Sequence, residues 1–281
     1  AAYQQEDPNK INKRIILLPG PPSEMKPMFD DHIIPYLRNL QENVLVSKMV
    51  KICGIGESKA ETMILDMIDG QQNPTIAPYA KCAEVHFRVT ALAKSEESAK
   101  KLLHPVIEEL KKRFGLNIYT MDEEKTLEEV VVALLREKNL TLSSAESCTG
   151  GLLAGRIVNV SGASSVFKEG FITYSNEAKQ KYLGVSGETL KQFGAVSEQT
   201  AYEMAQGTAA ATGADITVAV TGIAGPDGGT EEKPVGLVYI SCYYKGKVVV
   251  KECRMKGNRE KIREQSVTKV LDLLRRCLLE A

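Results

Sequence analysis

Apolar residues recur at helical spacing at Leu127, Val130, Val131, Leu134 and Leu135, directly behind the capping-box match Thr126-Leu127-Glu128-Glu129. From there on, short apolar runs alternate with helical patterns. The runs predict strands near 140–145, 170–174, 215–221, 235–243 and 247–254, and helices near 151–160, 176–183, 187–193, 198–212 and 259–280. Lys245-Gly246 reads as a hairpin turn between the last two strands. This order predicts an α/β fold for 121–281: an α/β/α sandwich on a mostly parallel sheet, edged by an antiparallel hairpin.

The pattern upstream is different. Val44 to Cys53 reads as extended, and Ser58-Lys59-Ala60-Glu61 is a capping-box match opening a helix toward Ile68. Cys82 to Thr90 alternates strictly, with Ala83, Val85, Phe87 and Val89 on one face and His86 on the polar face, where it is expected to face solvent. Ser95 caps a helix to Phe114, bent or broken near Pro105 and stopped by Gly115, before a strand over Leu116 to Tyr119. These elements predict a small α+β domain over 44–120, followed by the polar linker 120–125. Residues 1–43 offer a strand at 11–18, a Pro19-Gly20-Pro21-Pro22 corner and a short helix capped by Ser23, too little to enclose a core. They read as a packed tail or as the end of a larger domain.

Composition narrows the function classes. The 281 residues carry 36 Lys plus Arg against 36 Asp plus Glu, so no chain-wide field favours nucleic acid or an anionic membrane. The six cysteines form no C-x-x-C pair, and neither a signal peptide nor an apolar span of membrane length is present, which reads as a reduced, cytoplasmic, soluble protein. Gly54-Ile55-Gly56 lacks the G-x-x-G spacing of an RNA-clamping loop, so the α+β domain is assigned no nucleic-acid role. The three histidines, His32, His86 and His104, all precede the C-terminal half. A serine nucleophile there needs lysine, tyrosine or a carboxylate as its proton acceptor, or a histidine from elsewhere.

Candidate chemistry gathers after the predicted strand ends, where ligands of open α/β sheets collect. Ser143-Ser144-Ala145-Glu146-Ser147-Cys148-Thr149-Gly150-Gly151 joins a strand to a helix, offering backbone N–H donors and two rival nucleophiles, Ser147 and Cys148. Serine is favoured, because without histidine a thiol's activation is less well supported. Tyr174 ends a strand, and with Asn176 as N-cap, Lys179 falls at the third helical position, pointing back toward that strand end. The helix dipole there opposes the ammonium and makes Lys179 a candidate general base; a solvated surface lysine is the alternative. Thr221-Gly222-Ile223-Ala224-Gly225-Pro226-Asp227-Gly228-Gly229 fits either a phosphate cradle or a flexible turn.

Together AESCTGG (145–151), GFITYSNEAK (170–179), GAVSE (194–198), TGIAGPDGG (221–229), EEKPVG (231–236) and GNR (257–259) resemble the CinA family, the competence/damage-inducible protein A group. The C-terminal part is similar to that family's nicotinamide mononucleotide amidohydrolase module. LLPGPPSEMKPMF (17–29) resembles the end of its molybdopterin-binding-like domain, making 1–43 a domain remnant, and 44–120 resembles its connecting domain. The resemblance implies Ser147 as nucleophile, Tyr174 and Lys179 handling its proton, Thr221 near the reacting group and Arg259 toward the nucleotide phosphate. Cys148, Thr149, Gly150, Gly151, Gly222 and Gly225 are then expected to line the substrate site. It further implies conversion of nicotinamide mononucleotide and water to nicotinate mononucleotide and ammonia, without metal or organic cofactor, by a homodimer. The alternative is a non-catalytic pyridine-nucleotide sensor or scaffold linked to competence or DNA damage.

Overall fold

The computed structural model describes residues 2–5 and 13–280. β1 (Ala2–Gln5) and β2 (Lys13–Ile16) pair antiparallel, followed by α1 (Pro22–Met28) and α2 (Ile34–Arg38). Pro21 is the N-cap of α1, so Ser23 lies inside the helix instead of capping it; proline's fixed φ suits the first helical positions. Residues 11 and 12 of the expected strand lie outside the described residues.

The next unit joins β3 (Val44–Cys53), α3 (Glu57–Thr62), α4 (Leu65–Asp69), β4 (Thr75–Lys81), β5 (Glu84–Ala93), α5 (Glu96–Phe114) and β6 (Ile118–Thr120). Its sheet runs β4-β5-β3-β6, wholly antiparallel, with α5 packed on β3 and β5. Val85, Phe87 and Val89 point into that core, as the alternation predicts, and Ala91 joins them, whereas Ala83 lies in the turn between β4 and β5. Three local expectations fail. The Ser58 cap is replaced by Gly56 two residues earlier, and the helix splits in two. Pro105 leaves α5 unbroken; both it and Lys101, whose carbonyl loses a donor, lie on the solvent side. His86 is largely buried, its Nε2 3.1 Å from Glu84 Oε2 and 3.2 Å from Tyr119 Oη.

The C-terminal unit contains α6 (Leu127–Glu137), β7 (Leu142–Glu146), α7 (Leu152–Val158), β8 (Phe167–Ile172), α8 (Asn176–Leu183), α9 (Gly187–Phe193), α10 (Glu198–Thr212), β9 (Ile216–Gly222), β10 (Leu237–Tyr244), β11 (Lys247–Arg254) and α11 (Arg259–Leu279). The sheet order is β11-β10-β9-β7-β8, with β8, β7 and β9 parallel and the β10–β11 hairpin antiparallel at one edge. Period-two alternation divides the strands between two layers. Ile216, Val218 and Val220 join the core under α6, α7 and α11, whereas Ala145 and Ala219 join Leu183, Leu190, Met204 and Ala205 under α8 to α10. Small residues let α10 approach closely: Thr217 Oγ1 donates to Ala205 O and Ser241 Oγ to Ala201 O, both at 2.6 Å.

Gly207 on α10 faces the end of α8, and a Cβ there would overlap the Leu183 carbonyl oxygen. Gly207→Ala is therefore expected to lower stability by about 2–3 kcal/mol, read as a lower urea midpoint with unchanged slope. Helix α11 also docks the α+β unit. Cys53 Sγ donates to Asp272 Oδ1 (3.0 Å), Asp272 accepts from Arg275 and Arg276, and Arg276 reaches Asn117 (2.8 Å). Arg156 of α7 bridges Glu84, Glu128 and Thr268 across the same boundary. Among the described residues no helix is long and apolar enough to cross a membrane.

Candidate active site

At the carboxyl end of β7 the chain must turn sharply into α7. Gly150 (φ 59°) and Gly151 (φ 95°) take left-handed conformations that a Cβ would strain. Ser147 N donates to Val220 O (3.0 Å) and Gly150 N to Ser147 O (3.1 Å), so the nucleophile candidate is held from strand β9 and from its own turn. Arg263 of α11 clamps the turn from outside, Nε donating to Cys148 O (3.0 Å) and Nη2 to Thr149 O (2.8 Å).

Thr173 N donates to Glu146 O (2.8 Å), carrying the chain past the end of β8 to α8. The N-cap of α8 is Ser175, whose Oγ accepts from Ala178 N (3.1 Å), and not Asn176. Lys179 therefore sits one position deeper than expected, with its own N–H bonded to Ser175 O. Its side chain has no exposed surface, and Nζ lies 2.8 Å from Thr173 O, 3.3 Å from Tyr174 O and 3.1 Å from Ser147 Oγ. All three partners are neutral. Burial, with no carboxylate paired to Nζ, pulls its pKa down from 10.5 to about 8. The lysine nitrogen is thus within hydrogen-bond reach of the Ser147 hydroxyl.

Cys148 is buried, and burial pushes its thiol up to about 12. What it offers is backbone: among the described residues the amides of Cys148 and Thr149 donate to no other residue, whereas those of Gly150 and Gly151 are already used. The expected set of turn donors at 148–151 thus shrinks to two.

Tyr174 and Arg259 bond to each other. Tyr174 is 62% exposed, and its Oη accepts from Arg259 Nη2 (3.2 Å), while Arg259 Nη1 donates to Gly225 O (2.7 Å). The phenol makes no hydrogen bond to Ser147 or Lys179; only the Tyr174 carbonyl touches the lysine. Thr221 is fully buried, and its hydroxyl donates to Ala195 O (2.7 Å), so it anchors the 194–197 segment. A Cβ on Gly222 would crowd Val238 and one on Gly225 would crowd Val235, so these glycines serve packing of the loop. Lys233 fixes that loop further by donating to Phe193 O (2.6 Å) and Val196 O (2.8 Å).

Sequence reasoning missed Glu146, Arg263 and Lys233. Arg263 follows Arg259 by one helical turn, a spacing that places both on one face and could have revealed it. A cleft of about 590 Å³ borders Gly151 and Leu152 but runs between the two units, lined also by Glu84, Arg156, Glu264 and Thr268.

Fold and site together define an α/β/α sandwich with a buried serine–lysine pair at the carboxyl ends of its parallel strands. Residues 124–278 match the family model described as the CinA C-terminal domain, and 47–120 the damage-inducible protein CinA KH domain. The chain belongs to the CinA family of competence/damage-inducible proteins. It is 55% identical to a competence-damage inducible protein of Clostridium novyi over 95% of this chain and 65% of that one. A CinA-like protein of Kosmotoga olearia is 53% identical over 98% and 66%. The chain thus spans under two thirds of the length of these relatives. The solved competence/damage inducible protein CihA from Agrobacterium tumefaciens is 45% identical, with TM-score 0.53, over 54% of this chain and 93% of that one. A CinA superfamily protein from Klebsiella pneumoniae is 34% identical, with TM-score 0.53, over 56% and 100%. Despite the KH description, the Gly54 loop packs against α11: a Cβ at Gly54 would meet Arg276 and Asp272.

Proposed function

We propose that this chain is an amide hydrolase converting nicotinamide mononucleotide to nicotinate mononucleotide and ammonia. The observation that carries the reading is the fully buried Lys179, with only neutral partners and its Nζ 3.1 Å from Ser147 Oγ. A neutral lysine takes the serine proton as Oγ attacks the carboxamide carbon. The amides of Cys148 and Thr149 hold the oxyanion, being fixed in place before charge develops. The Lys179 ammonium then protonates the departing nitrogen as the C–N bond breaks, releasing ammonia. Water attacks the acyl-serine, Lys179 takes its proton and returns it to Ser147 Oγ as the C–Oγ bond breaks, and the acid leaves. The resemblance supplies the pyridine nucleotide; the dyad alone supports only a carboxamide.

Tyr174 and Arg259 form the outer wall in this reading, positioning the nucleotide instead of moving the serine proton. Arg259 is exposed and has donor capacity for a phosphate. Arg259→Ala is expected to raise KM for the mononucleotide about tenfold, with a smaller change for the unphosphorylated riboside. Equal effects on both substrates contradict the phosphate role. The reading as a whole is tested by ammonia release from nicotinamide mononucleotide by wild type and Ser147→Ala. If neither releases ammonia while both bind the nucleotide, the chain is a sensor. No nucleic-acid role is assigned, and a homodimer is the expected assembly.

A further inference from the structure

Glu146 takes no part in these proton transfers, yet it precedes the nucleophile and is almost wholly buried. Its carboxylate accepts three amides of the turn and the first turn of α7: Gly151 N (3.0 Å) and Leu153 N (3.1 Å) on Oε2, and Ala154 N (2.9 Å) on Oε1. Among the described residues no Lys, Arg or His lies within ion-pair distance of it. A carboxylate bonded by backbone N–H donors, with no cationic side chain at ion-pair distance, therefore stands one residue from Ser147.

This arrangement has a geometric and an electrostatic effect. Tying up the amides of Gly151, Leu153 and Ala154 leaves those of Cys148 and Thr149 as the turn's free donors. The charge, in turn, acts on net charge near Ser147. A carboxamide is neutral, and in the transition state the oxyanion is paired with the Lys179 ammonium. The acid product adds a net negative charge, while pyridinium and phosphate are common to both nucleotides.

We propose that Glu146 is a positioning residue that sets the nucleophile turn and, by its charge, makes the site favour the neutral carboxamide over the acid product. The inference rests on the amidase reading and deepens it: Glu146 limits product inhibition without weakening the transition state.

The test uses the full chain, with Glu146→Gln removing the charge and Glu146→Asp keeping it on a shorter arm. The readouts are kcat, KM for nicotinamide mononucleotide, and Ki for nicotinate mononucleotide, with thermal unfolding as a check on the fold. In Glu146→Gln the ratio Ki/KM is expected to fall about tenfold, as the acid binds more tightly relative to the amide. In Glu146→Asp, kcat is expected to drop at least about tenfold while Ki/KM stays within about twofold of wild type. An unchanged ratio in Glu146→Gln, or an equal fall in both variants, overturns the proposal. If Glu146→Gln does not fold, Glu146→Asp decides alone: a preserved ratio with reduced kcat supports the proposal and a collapsed ratio overturns it. Wild type that releases no ammonia sinks the amidase reading instead; the ratio of acid to amide dissociation constants in wild type and Glu146→Gln then tests the charge effect by calorimetry.

Discussion

Lys179→Met is expected to abolish turnover while making the protein more stable at pH 7. The fall of the lysine pKa from 10.5 to about 8 measures how strongly burial opposes its ammonium, a penalty of ~3 kcal/mol at pH values below 8. Methionine fills similar space without charge, although Thr173 O and Tyr174 O lose their donor, which costs about 1 kcal/mol each. A net gain of ~1 kcal/mol is expected, read as a higher Tm alongside a rate loss of at least about 10²-fold. The sign follows from linkage. The folded state binds fewer protons than the unfolded one between pH 8 and 10.5, so wild-type stability gains from this group as pH rises through that window, and the variant lacks that gain. Activity follows the same ionisation: kcat/KM climbs about tenfold per pH unit up to about 8 and then levels. A pH-independent rate, or Lys179→Met with wild-type turnover, contradicts the base assignment.

Ser147→Ala is expected to cost at least about 10³-fold in kcat, because the oxyanion donors alone accelerate attack by water only weakly. The fold should survive, since the serine hydroxyl hydrogen-bonds to Lys179 and the turn is held through backbone atoms. Cys148→Ala provides the contrast. Its buried thiol is held protonated and its contribution is an amide that alanine retains, so kcat should stay within about threefold of wild type. Reversed effects in the two variants would make the cysteine the nucleophile.

The strands and helices of the C-terminal unit were legible because apolar runs and caps there agree with the tertiary fold. β11, α8, α9 and α10 fall where the pattern places them. The pairing of Ser147 with Lys179 was legible for a related reason: a missing histidine and a lysine early in a helix both pointed to one strand edge. The physical cause, however, is burial against neutral carbonyls more than the helix end, and burial is a tertiary property. Glu146 illustrates what stayed hidden. A glutamate closing a strand reads as solvated until the chain turns back after Gly151 and presents three amides to it. His86 was misread likewise, because its partner Tyr119 lies 33 residues away, and the bond from Thr221 to Ala195, 26 residues away, was hidden for the same reason. Tyr174 lies two residues past the end of β8 instead of closing the strand, and its hydroxyl is drawn outward by Arg259, 85 positions later.

A covalent serine amidase has a chemical signature that a direct hydrolase lacks, and hydroxylamine reveals it. Added to wild-type protein turning over nicotinamide mononucleotide at pH 8, it should intercept the acyl-serine, so that the hydroxamate appears beside the acid in proportion to hydroxylamine, above the rate without protein. Ammonia release should account for the sum of the two products and vanish in Ser147→Ala. Acid as the sole product at every hydroxylamine concentration, or hydroxamate formed equally by Ser147→Ala, would contradict a reaction passing through Ser147.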